Sequence, residues 1–191
     1  MSERGDDYDD LSQGQKANRQ GREILDVVRA ALGDFAFVRV RLAQKNAAAV
    51  AELAGHLGYL LPPAPPGIFA EQAVICRNIF GDPHAVDFLL FAPGWPSALA
   101  LMVRHQQNSG SVKEKLSYWV ELFTEHYPCP ALLLAEGPRL VGDRAFMRVA
   151  REKVARSGGR FLRVFAGQYE FRQWLLAGFA YPTSEGGVLA L

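Results

Sequence analysis

Five apolar residues in a row, Ala131-Leu132-Leu133-Leu134-Ala135, stand between Pro130 and Glu136. A strand with one face in water alternates apolar and polar side chains. An unbroken apolar run of this length, bounded by breakers, predicts a strand buried on both faces. Such a strand needs a layer above it and a layer below it. The chain is therefore expected to be α/β, with a mixed central sheet flanked by helices.

The flanking segments supply those layers. Ile24, Val28 and Ala31 recur at helical spacing, with Leu25 and Leu32 widening the stripe, and Gly33 is a stop signal. Phe35, Phe37 and Val38 read as a short extended segment. Asn46 is a candidate N-cap for a helix over 47–57. Pro62, Pro63, Pro65, Pro66 and Gly67 then break the chain. Three strands are predicted over 74–79, 86–91 and 99–104, followed by a helix opened by Gly110-Ser111 and running to about His126. Beyond the apolar run, Asp143 caps a helix that ends near Gly158-Gly159. A strand over 161–165 and a helix over 169–177 close the pattern. The expected organisation is a disordered acidic tail over 1–16, one domain over 17–178 and a C-terminal tail over 179–191. The acidic tail is read from Glu3, Asp6, Asp7, Asp9 and Asp10, which have almost no apolar company.

A net charge of +1 carries no overall signature of a nucleic-acid binder, so any such signal must be local. Cys76 and Cys129 are far apart and have no Cys/His cluster around them, which excludes a zinc motif and predicts free thiols. No apolar run spans a bilayer and the N-terminus lacks the pattern of a signal peptide. A cytoplasmic protein without membrane contact is expected.

Several segments, in order, resemble one bacterial and phage family of the PD-(D/E)XK nuclease superfamily. They are Asp87-Phe88-Leu89-Leu90-Phe91, Trp95-Pro96, Gln106-Gln107 and Gly110-Ser111-Val112-Lys113-Glu114-Lys115. The family's strand Asp-Phe-Leu-Leu-aromatic leads to a Trp-Pro turn, then to a strand with Glu-x-Lys-x-Gln-Gln, then to Gly-Ser-Val-Asp-Glu-Lys. The stretch from Ala17 to Glu23, the turn Ile79-Phe80-Gly81 and the Glu170-Phe171-x-x-Trp174 ending are similar as well. The resemblance implies a restriction-endonuclease-like core over roughly residues 17–176.

The family's chemistry follows from strand geometry. Residues two apart point to one face, so Glu-x-Lys sets a carboxylate beside an ammonium. An Asp on the neighbouring strand completes a pair of hard oxygen ligands for Mg²⁺, which activates water against a phosphodiester. Asp87 matches that Asp. Counting back from Gln106-Gln107, the Glu position is Met102 and the Lys position is Arg104. Met102 offers a soft thioether in place of an oxygen. Arg104 keeps the charge, cannot give up its proton, and can pair with a phosphate through its planar fork.

Three functions are therefore open. The leading expectation is a nuclease-like domain with an altered site that does not cut. It would bind nucleic acid, DNA rather than RNA, or serve as a structural subunit with a protein partner or as a homodimer. The second is an active Mg²⁺-dependent endonuclease in which Glu121 or Glu114, or less directly Glu71 or Glu23, replaces the missing carboxylate. The third is a protein-interaction module. Asp87, Arg104 and Gln106 are the candidate site residues, with Mg²⁺ a cofactor only in the second case and Asp87 its ligand. Candidate nucleic-acid contacts are Arg104, Gln107, Lys113 and Lys115, with Arg144, Arg148 and Arg151 forming one stripe of a helix. His105 is expected on the face opposite Arg104. Trp95, Trp119 and Trp174 are expected to anchor the core or its turns.

Overall fold

The structure is a computed structural model, and it describes residues 13–42, 49–58, 66–106 and 115–181. Its strands are β1 (Phe37–Arg39), β2 (Gly67–Arg77), β3 (Pro83–Phe91), β4 (Leu99–His105), β5 (Ala131–Glu136) and β6 (Phe161–Ala166). Its helices are α1 (Gln13–Asp34), α2 (Ala49–Gly58), α3 (Leu116–Glu121), α4 (Pro138–Val141), α5 (Arg144–Arg156) and α6 (Gly167–Leu176). A π-helical turn over Leu122–His126 extends α3.

The strands lie side by side in chain order. β2, β3 and β4 form an antiparallel meander. β1 is parallel to β2, while β4, β5 and β6 are mutually parallel. Parallel neighbours need long crossovers, which the helices supply. Side chains alternate between two cores. Leu89, Ala100, Met102 and Leu133 face α2, α3 and α5 through Leu53, Trp119, Phe123 and Met147. Phe88, Leu101, Leu132 and Leu134 face α1 and α6 through Val28, Leu32, Phe171 and Trp174. All of Ala131 to Ala135 are fully buried, as the apolar run requires. Removing such a Leu from water contributes about 1.5–3 kcal/mol.

The open edge at β6 is covered by polar groups. The Ser157 hydroxyl accepts from Phe161 N at 3.0 Å and lies 2.9 Å from the Phe161 carbonyl. The Glu170 carboxylate accepts from Ala166 N at 2.8 Å and reaches Arg151 of α5 at 3.7 Å. These contacts occupy backbone groups that would otherwise offer a template for another strand.

Several boundaries differ from the sequence reading, among them the start of β3 at Pro83. Helix α1 begins at Gln13, inside the segment assigned to the acidic tail. Strand β2 begins at Gly67, because Ile68, Phe69 and Ala70 already belong to the sheet. The ordered chain continues past residue 178. Trp95 Nε1 donates to the Phe179 carbonyl at 3.2 Å, Trp174 Nε1 to the Ala180 carbonyl at 2.9 Å, and the Tyr181 hydroxyl lies 3.0 Å from Ser97 Oγ. The tail over 1–12, the Asn46 cap, the Pro62-to-Pro65 break and the Gly110-Ser111 helix start lie outside the described residues.

Candidate functional site at the splayed end of β3 and β4

The site exists because two paired strands part. The β3–β4 ladder joins Phe88 to Leu101, Leu89 to Ala100 and Leu90 to Leu99. Beyond Leu101, β4 continues against β5 alone. Asp87 is the first β3 residue outside that ladder, and its side chain takes over the pairing. Oδ2 accepts from Val103 N at 2.7 Å and from an Arg104 Nη1 at 3.0 Å. A carboxylate thus occupies the place of a backbone carbonyl, and charge-assisted bonds of this kind are among the stronger ones.

A paired slip of side-chain alternation in β2 and β3 aims the surrounding groups; the pairing register holds across it and shifts only later, between Val74 and Cys76. Gln72 has φ 49° in the middle of β2, where a side chain is rarely tolerated. Ile68 and Ala70 before it share a core with Ala73 and Ile75 after it, so alternation slips there by one residue. The facing strand slips too, since Val86 and Leu89 share that same core. The Gln72 amide stands 3.4 Å from Asp87 Oδ1. The double slip turns His84 as well as Asp87 toward α3 and the π-helical turn.

Arg104 lies over the ring of Trp119, with 5.2 Å between its guanidinium carbon and the ring centroid. Nη1 also donates to the Val103 carbonyl at 2.6 Å, whereas among the described residues Nη2 faces only the Met102 sulfur at 3.7 Å. The guanidinium is therefore held on one edge and weakly satisfied on the other. His84 Nε2 lies 2.9 Å from the Tyr127 hydroxyl. Burial, reinforced by the Arg104 charge, lowers the His84 pKa, although Asp87 opposes that shift. Burial drives the Tyr127 pKa far upward, so its hydroxyl stays protonated. Tyr127 owes its position to the π-helical turn, whose last bond runs from Tyr127 N to the Leu122 carbonyl at 3.0 Å. Turns of this kind recur at functional sites.

Gln106 follows Arg104 on the same face and is buried, and its carboxamide oxygen has no hydrogen-bond partner among the described residues. His105 turns away toward Glu136; its pKa is lowered by burial, against that carboxylate's pull. Glu136 has a structural task, accepting from Gln168 N at 2.6 Å and Gly137 N at 3.1 Å.

The other sequence candidates lie apart from Asp87. Glu71 binds Arg29 at 2.5 Å and Arg39 at 3.2 Å. Glu23 is exposed and pairs with Arg19 at 3.2 Å. Glu121 is exposed two residues after buried Trp119, about 200° around the helix from the side that carries Arg104. Lys115 is exposed at the start of α3. Gln107, Lys113 and Glu114 lie outside the described residues. Arg144, Arg148 and Arg151 form an exposed stripe on α5. Two of them hold partners, Glu152 for Arg148 at 2.6 Å and Glu170 for Arg151 at 3.7 Å. Among the described residues, no three His, Cys, Asp or Glu side chains are grouped to hold a metal ion.

A family model described as a PD-(D/E)XK nuclease superfamily domain matches residues 16–141. The chain belongs to the PD-(D/E)XK nuclease superfamily. Among curated proteins and among solved structures, nothing matches it. The PD-(D/E)XK match takes in α1 through α4, hence both strands of the site, and ends before α5, β6 and α6. The six-stranded mixed sheet between helical layers is consistent with the restriction-endonuclease-like core of that superfamily. Among the described residues, no helix is long and apolar enough to cross a membrane.

His84, Tyr127 and the stacking role of Trp119 escaped the sequence reading. Strict alternation puts His84 and Asp87 on opposite faces, and only the slip between Val86 and Leu89 brings them together.

Proposed function

We propose that this PD-(D/E)XK domain binds nucleic acid without cutting it, using Arg104 as a phosphate contact where the superfamily's chemistry calls for a metal ion. The observation that carries this reading is the state of Asp87. One of its oxygens already accepts two N–H donors, and one donor is a cation at 3.0 Å. Mg²⁺ needs near-octahedral oxygen coordination. Here the neighbouring position holds a buried thioether, Met102, and a permanent positive charge, Arg104. That donor set does not fit Mg²⁺.

Arg104 is better suited to an anion. Trp119 and Asp87 fix its plane, and among the described residues Nη2 has only a weak sulfur acceptor. A phosphate oxygen would satisfy that donor without rearranging the pair. Exposed Lys115 and Arg144 could add unspecific attraction. Arg148 and Arg151 have less to offer, because their charges are already matched.

The test is a pair of measurements on the full chain: cleavage of single- and double-stranded DNA and RNA with Mg²⁺ or Mn²⁺, and binding of the same substrates without metal. Salt-sensitive binding without cleavage is expected, with DNA preferred. Arg104→Gln should weaken binding severalfold, on the order of one lost charge-assisted contact. Met102→Glu combined with Arg104→Lys should gain Mg²⁺ affinity in calorimetry. Metal-dependent cutting that vanishes in Asp87→Ala would overturn the proposal and favour a carboxylate recruited from elsewhere.

A further inference from the structure

The sheet has a second kind of feature at the same end as the site. β2, β4, β5 and β6 run in one direction, so their carboxyl ends share a rim, and β3 starts there. Register fixes the levels along it. Arg77 is opposite Pro83, His105 is opposite Glu136, and Ala135 is opposite Ala166. The Asp87–Arg104 pair sits just inside this rim. The β2–β3 turn projects from one flank, and the first turn of α6 rises from the other.

Each flank carries an exposed ring. Phe80 in the β2–β3 turn is 78% exposed and Tyr169 in the first turn of α6 is 74% exposed. Among the described residues these are the only Phe, Tyr or Trp side chains in the exposed class. Neither ring is there because its backbone is loose. Asn78 Oδ1 accepts from Phe80 N at 2.9 Å and from Asp82 N at 3.0 Å, Asn78 N donates to the Asp82 carbonyl at 2.8 Å, and Arg77 binds the Gly81 carbonyl at 2.6 Å. Tyr169 follows Gln168, whose N–H is fixed by Glu136. Rings held in place before binding lose little entropy on contact.

We propose that Phe80 and Tyr169 are base-stacking platforms that receive a single nucleic-acid strand laid across the rim, past Arg104. The inference rests on the nucleic-acid reading above and deepens it to a single-stranded substrate. Spacing favours it over a protein-docking surface. About four inter-strand steps of ~4.8 Å separate the flanks, or ~19 Å. Five or six stacked nucleotides at ~3.4 Å cover that distance. In the strand order β4 and β5 stand between the two flanks, with Arg104, His105 and Glu136 at their carboxyl ends and Arg139 following in α4, so polar and charged groups interrupt the apolar ones along the rim. Bases can stack on the ends while a phosphate meets Arg104.

The experiment uses the full chain and a fluorescent oligothymidylate of about 12 nucleotides, a length within reach of one such domain. Phe80→Ala and Tyr169→Ala should each weaken binding roughly fivefold to a hundredfold, the range of one lost base stack. Because stacking releases no counterions, both variants should keep the salt slope of the native chain. Phe80→Trp should restore binding and Phe80→Leu should not, since leucine is apolar but has no π face. All three native tryptophans are buried, so the indole at position 80 supplies the exposed emission, and adding oligonucleotide should quench it. Leu176→Ala removes an exposed apolar side chain from the far end of α6 and should bind normally. Thermal melts check that every variant folds.

The failures separate cleanly. Native binding with unchanged affinity in both alanine variants overturns the stacking role and leaves the nucleic-acid reading intact. Full binding by Phe80→Leu also overturns it. Loss of self-association in Phe80→Ala, with oligonucleotide affinity untouched, makes the turn a contact between copies and overturns it too. An absence of binding to every nucleic acid by the native chain removes the reading beneath it.

Discussion

At the residue scale, His84 shows how closely the site's charges are coupled. It sits between the Tyr127 hydroxyl at 2.9 Å and the fields of Arg104 and Asp87. Burial and the Arg104 cation both disfavour imidazolium there, so the folded-state pKa lies below the ordinary value. His105 is lowered too, by burial. A histidine whose folded pKa is depressed binds fewer protons than its unfolded counterpart around pH 6, so stability rises with pH through that range. Folding stability should therefore fall between about pH 7 and about pH 5, as the unfolded histidines charge first. Urea midpoints measured across that window should decline for the native chain. The decline should be shallower for His84→Gln combined with His105→Gln, whereas an equal slope would show that neither histidine is linked to folding. The same burial pushes the Cys76 thiol up to about 11 and the Cys129 thiol up to about 12, which leaves both poor nucleophiles near neutrality.

At the element scale, tight backbone junctions hold the site's flank in register. Gly137 links β5 to α4 with φ 86°, and a Cβ there would lie 2.5 Å from the Gln106 carbonyl oxygen and 3.0 Å from the His105 ring. Gly137→Ala combines left-handed strain with a backbone clash, so it should cost about 2–4 kcal/mol of stability. It should also disturb Gln106, which hydrogen-bonds to the β5 end through Glu136 and to α4 through Arg139 N. Urea denaturation of the variant reads the cost, and a loss below about 1 kcal/mol would mean that the junction yields easily. Such junctions mark the limit of what the sequence displayed. Strands β3 to β6 were legible because their apolar runs are short and bounded by Pro, Gly or polar clusters. The first half of β2 was hidden, because Glu71 and Gln72 interrupt its apolar pattern where the alternation slips. That slip also hid the alliance of His84 with Asp87, since no alternation rule predicts a slip on two strands at once. Asp87 and Arg104, by contrast, could be picked out as candidates, from their spacing to neighbouring segments. Their mutual ion pair could not, because it depends on β3 and β4 parting after Leu101.

At the scale of the whole molecule, the two faces of the sheet are finished differently. The face that carries the site is closed by α2, α3 and α5, which follow one another through the crossovers. The opposite face is closed by α1 and α6, elements from the two ends of the chain, and their meeting is sealed by residues 179–181. Phe179 packs edge-on against Phe37 with ring centroids 5.0 Å apart, and Tyr181 meets Trp95 at 5.8 Å. The indoles of Trp95 and Trp174 both donate into this segment. Ending the chain after Gly178 would strand two buried indole N–H donors and uncover an aromatic cluster. Each orphaned donor costs about 1–3 kcal/mol and each lost ring pair about 0.5–1.5 kcal/mol. The melting temperature should drop by roughly 10 °C, taking 2–4 °C per kcal/mol for a domain of this size. Because the segment lies on the α1–α6 face, away from Arg104 and Trp119, the shorter chain should still bind oligonucleotide at temperatures where it remains folded. If binding disappeared while circular dichroism stayed native, the two faces would be coupled through the sheet.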